Sequence, residues 1–80
     1  MRTKLINVVT CGMYSYELLE SKIDELGIEE LDKVYDIDSG LCIINTRMNI
    51  DQAHEMLDYA NYVGAWLVKG EGWFQSSFYF

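Results

Sequence analysis

The chain has no proline, one histidine and only two cysteines. Without proline, no strand carries a built-in break in its hydrogen-bond ladder. There is no long apolar run, so no membrane-spanning helix is expected. The opening stretch MRTKLINVV is charged at its start and lacks both a long apolar segment and a small-residue cleavage site. No signal peptide is therefore expected, and the expected setting is cytoplasmic. In that setting Cys11 and Cys42 are expected as reduced thiols rather than a bridge. Basic residues are also scarce: six Lys and Arg oppose thirteen Asp and Glu, for a net charge of -7.

What remains is enough for one small core. Eighty residues, half of them apolar, make a single acidic α+β domain over residues 1–80. LINVVT, bounded by Gly12, reads as a strand over residues 4–11. Ser15 is positioned to cap a helix over 16–26, in which Leu19, Ile23 and Leu26 recur at helical spacing after Tyr16. Gly27 suits a left-handed helix ending, with Ile28 folding back on Ile23. KVYDI and LCIINT read as strands joined by a DSG turn. Asn49 and Gln52 form a capping-box pattern before an apolar stripe of Ala53, Met56, Leu57, Ala60 and Val63, which Gly64 ends. AWLVK is a further strand, and WFQSSFYF is expected to add a last one.

The order β-α-β-β-α-β is the ferredoxin-like order: an antiparallel sheet with two helices on one face and strands one and three at its centre. Those two strands carry apolar residues on both faces: Leu5, Ile6, Val8 and Val9 on the first, Leu41, Cys42, Ile43 and Ile44 on the third. A sheet with one wet face alternates instead. The face away from the helices is therefore expected to be covered, by a second copy or a partner, with Trp73 and Tyr79 joining that interface. Phe74, Phe78 and Phe80 are expected to finish the core.

Catalytic signals are weak. HEMLD shares only its first two letters, His54 and Glu55, with a zinc-protease helix and has Asp58 where the second histidine would stand; His54 and Asp58, one helical turn apart, could share a metal, but no third ligand is evident. DIDSG lacks the other acids of a calcium loop and reads as a turn. Cys11 and Cys42 would lie near each other on antiparallel strands. With no C-x-x-C spacing and no basic neighbour, they are expected as small buried hydrophobes. No glycine-rich phosphate loop is present. No metal, cofactor or enzymatic activity is expected.

The charge is the distinctive feature. Residues 17–38 hold nine acids against Lys22 and Lys33, so the entire net charge of -7 lies in that segment while the rest of the chain is balanced. Such a field attracts basic partners and repels nucleic acid and anionic lipid. Glu17, Glu20 and Asp24 fall on one helical stripe, and a merely solvated surface would mix the signs. The partner-binding candidates are Glu17, Glu20, Asp24, Glu25, Glu29, Glu30, Asp36 and Asp38. The expectation is a non-catalytic protein-binding module whose acidic face occupies a basic, nucleic-acid-binding surface of another protein. In size and charge alone, with no motif matched, it resembles the class of small acidic viral inhibitors that block restriction or CRISPR machinery. The alternative is a dimeric ferredoxin-like domain that regulates or binds a small ligand through its apolar sheet face.

Overall fold

A computed structural model describes residues 2–69. The elements are β1 (Thr3–Cys11), α1 (Met13–Glu25), β2 (Glu29–Asp36), β3 (Leu41–Asn49), α2 (Ile50–Val63) and β4 (Trp66–Lys69). The strands form one sheet in the order β2-β3-β1-β4, and every neighbouring pair is antiparallel. This is the expected α+β, ferredoxin-like layout, with β1 and β3 central. The further strand expected in WFQSSFYF, and with it Trp73, Phe74, Phe78, Tyr79 and Phe80, lies outside the described residues.

Strand periodicity assigns the two sheet faces. Ile6 and Val8 of β1, Ile44 and Met48 of β3, and Leu67 of β4 meet Leu19 and Ile23 of α1 and Ala53, Met56 and Ala60 of α2 in the main core. The small alanines let α2 approach the sheet closely, and Tyr16, Leu26, Leu57, Tyr59 and Val63 close the margins. On the opposite face Val9, Ile43 and Val68 form a second, smaller cluster with Leu41 against it. Val9 and Ile43 each keep only 3% of their surface exposed, so the centre of this face is not a bare apolar patch. The apolar surface left open there is at its flanks, on Val34 and Trp66.

The helix ends follow local chemistry. At the C-terminus of α1, Ile28 N–H donates to Ile23 C=O at 3.0 Å and Gly27 N–H to Asp24 C=O at 3.1 Å, with Gly27 at φ +67°. That is the double closure of a Schellman ending, and it permits the reversal into β2. At α2 the capping box forms in both directions: Gln52 N–H donates to Asn49 Oδ1 at 2.9 Å, and Asn49 N–H to Gln52 Oε1 at 3.0 Å.

Several expectations need correcting. Ser15 is not the N-cap of α1. Gly12, at φ +101°, turns the chain directly out of β1, so the helix begins at Met13 and Ser15 sits within its first turn, donating to Val63 C=O at 3.5 Å. Both hairpin strands are longer than KVYDI and LCIINT. β2 starts at Glu29, and an irregularity between Glu30 and Asp32 hides its period. Cys42 is buried but Cys11 is exposed. Thr10 pairs with Cys42 and Cys11 with Leu41, so the thiols are diagonal neighbours that project to opposite faces.

Candidate protein-binding surface

The acidic segment spans α1, β2 and the turn that follows, and the structure joins these into one surface. The joint is a four-residue polar cluster. Glu20 sits on the α1 stripe between Glu17 and Asp24 but leans toward β2. There the Lys33 ammonium lies 3.3 Å from Glu20 Oε1 and 3.8 Å from Glu30 Oε2. Oε1 of Glu20 is inaccessible to solvent and the ammonium is not aligned to donate to it, so the Lys33–Glu20 contact is an ion pair by distance rather than a formed hydrogen bond.

The electrostatics of the cluster follow from crowding two carboxyls. Burial raises the Glu30 pKa, and the neighbouring Glu20 raises it further. Burial would raise Glu20 too, but the hydrogen bond from Glu30, the Tyr16 hydroxyl and Lys33 outweigh it and hold Glu20 below its ordinary value. Tyr16, one turn before Glu20, is pushed up to about 12 by burial and then by Glu20. The pair thus divides its roles: Glu20 is the carboxylate and Glu30 the more readily protonated partner.

The remaining candidates separate by what already occupies them. Glu25 accepts from Lys22 at 2.8 Å, and that ammonium also lies 5.4 Å from the Tyr59 ring centroid. Glu29 lies 4.0 Å from Arg47, its cross-strand partner. Asp36 organises the turn: its carboxylate accepts from Asp38 N–H at 3.1 Å and from the Ser39 hydroxyl at 2.9 Å. Glu17, Asp24 and Asp38 are exposed and form no ion pair among the described residues. The cations near the surface, Lys22, Lys33 and Arg47, are each engaged by its own acids, so its outward field stays negative. Trp73 and Tyr79 lie outside the described residues.

Three of the expected residues, Glu29, Glu30 and Asp36, lie on the edge strand β2, but the exposed apolar residues among them were not legible as part of the site. All eight residues of β2 are exposed. Leu31, Val34 and Tyr35, with Ile37 in the turn, expose between 36% and 81% of their surface among the acids. Asp32 also belongs here, its carboxylate accepting from Lys33 N–H at 2.8 Å. His54 is exposed on α2, and no group of three metal-ligating residues occurs among the described residues.

Comparison with models of known protein families and with curated proteins gives no match.

Proposed function

We propose that this chain is a non-catalytic protein-binding module whose acidic surface docks on a basic, nucleic-acid-binding surface of its partner. In its sharpest form it is an inhibitor that keeps nucleic acid out of that surface, as an anti-restriction or anti-CRISPR protein of a phage would. The observation that carries this reading is the continuity of the acids of α1 and β2 through the Glu20–Lys33–Glu30 cluster, with the local cations already engaged. Carboxylates on a rigid helix and strand engage Arg and Lys side chains that otherwise hold phosphate.

The test is capture of a nucleic-acid-binding partner at low and high salt, followed by competition with duplex DNA. Glu17 and Asp24 changed together to Lys should abolish capture. Asp51 and Asp58, exposed on α2 and reversed in the same way, change net charge equally and should leave capture largely intact. Equal behaviour of the two variants, or capture indifferent to salt and DNA, would refute the docking face. Glu20 is left unchanged because reversing it would disrupt the internal cluster.

A second reading, a dimeric or ligand-binding domain using the helix-free sheet face, draws support from Trp66, which is 57% exposed on that face beside Val68. It draws less from the centre of the face, where Val9 and Ile43 are already withdrawn from water.

A further inference from the structure

We propose that β2 receives an extended basic segment of the partner as an added antiparallel or parallel strand. The inference rests on the acidic docking reading and specifies how the partner is held. β2 is an edge of the described sheet, and its eight residues extend about 27 Å at a strand's usual rise. Soluble proteins shield such edges with short strands, proline, charged side chains, inward-turned charges or bulges, because unpaired N–H and C=O groups invite another strand. β2 is long and lacks proline, and its shielding is a bulge and charge. That charge is acidic at Glu29, Glu30, Asp32 and Asp36, while its one lysine turns to Glu20 and Glu30, so the edge deters its own kind but not a basic strand. Its bulge lies between Glu30 and Asp32, leaving Lys33 to Asp36 regular.

The orientation of the free groups follows from one hydrogen bond. Lys33 N–H is taken by the carboxylate of Asp32, so it faces away from β3. Strand alternation turns the N–H and C=O of Tyr35 the same way. Asp32 thus caps the edge in the free protein. A basic side chain that draws the Asp32 carboxylate aside would expose Lys33 N–H to an incoming carbonyl.

Charge selects the occupant. On the helix-free face β2 presents Asp32, Val34 and Asp36 in succession, opposite Asn45, Ile43 and Leu41 of β3. A complementary strand carries a basic residue, an apolar residue and a basic residue at alternate positions, since opposite charges and apolar pairs stabilise cross-strand neighbours. A second copy of β2 would instead bring Glu29, Glu30, Asp32 and Asp36 against their own kind, which disfavours self-pairing. The exposed Val34 provides the apolar contact between the charges on that face.

The probe is a synthetic peptide alternating lysine, threonine, valine, threonine, lysine, tested at low salt against a scrambled peptide of equal charge. Amide hydrogen exchange is followed by NMR on the intact chain. Binding should slow exchange at Lys33 and Tyr35 by about tenfold or more, with the scrambled peptide markedly weaker. Methylating alternate backbone nitrogens of the peptide should abolish binding in one register and spare it in the other. Tyr35→Pro should also weaken binding, and the methylated peptides decide the matter if that variant fails to fold. If the peptide binds but exchange at Tyr35 and sensitivity to methylation are both absent, the edge inference is overturned while side-chain docking stands. If the peptide does not bind at all, the edge inference is likewise overturned, and the Glu17/Asp24 reversal decides the docking reading separately.

Discussion

The Thr46 hydroxyl donates a 2.8 Å hydrogen bond to the carbonyl of Ile6, its register partner on β1. Thr10, further along β1 and equally buried, has a hydroxyl with no partner. Removing a formed buried hydrogen bond costs about 1 kcal/mol, whereas replacing an unpartnered buried hydroxyl with a methyl removes a desolvation penalty. Thr46→Val should therefore destabilise the fold by about 1 kcal/mol, and Thr10→Val should leave stability unchanged or raise it by up to about 1 kcal/mol. Urea denaturation of both variants checks this. A larger loss for Thr10→Val than for Thr46→Val would contradict the assignment.

The carboxyl pair should give stability a pH signature. Glu30 has a raised folded pKa, so its contribution is complete below the ordinary value of 4.5 and fades as pH rises through the raised one. Glu20 has a lowered folded pKa, so its contribution is present above 4.5 and is lost as pH falls through the lowered one. The pair therefore contributes most around 4.5, where it holds one proton between two carboxyls beside Lys33 and Tyr16. Glu30→Gln cannot ionise but can still donate to Glu20. Its melting temperature should gain on the wild type as pH rises from about 4 to about 8. A constant difference across that range would exclude the shared-proton arrangement.

Gly27 should be costly to replace for backbone reasons alone. It holds φ +67°, and a Cβ built there meets nothing within 4 Å. Gly27→Ala should cost about 1 kcal/mol, the penalty of a left-handed L-residue, and Gly27→Asn less. Thermal melts of the two variants against the parent read the difference.

The thiols should behave independently. Cys11 is exposed and Cys42 buried, with burial the main cause of its raised thiol pKa and the Cys11 charge adding to it. Mass spectrometry after alkylation of the folded protein should show one modified thiol, at Cys11, and two only after denaturation. Mild oxidation should not join them within one chain, because they project to opposite faces of the sheet.

Much of the fold was legible because each element carried its own punctuation. The Asn49–Gln52 box, the Gly27–Ile28 ending and the stripe from Ala53 to Val63 are local signals, and all three form as read. β2 was readable only from Lys33 onward. The extra residue near Leu31 breaks the alternation, and the acids of EELD have poor strand propensity, so pairing with β3 rather than local preference makes that stretch extended. Ser15 misled because serine is a common N-cap residue, but Gly12 had already begun the helix and the Ser15 hydroxyl turns to Val63 instead. Within the acidic surface the residue list was legible and the arrangement was not. Helical spacing placed Glu20 beside Glu17 and Asp24, but nothing local indicated that it would turn toward Lys33 and Glu30.

The strand order also sets a timetable for synthesis. β1 is made first yet is the most dependent strand, with one neighbour beginning at Leu41 and the other at Trp66. Val9 meets Trp66 across 57 intervening peptide links. As the chain leaves the ribosome, the acidic helix and the β2–β3 hairpin emerge while β1 still lacks its second partner. Central strands that wait in this way fold slowly and expose apolar edges meanwhile. The concentrated negative charge of residues 17–38 emerges during that interval, and repulsion between nascent chains would keep neighbouring copies apart until β4 pairs with β1.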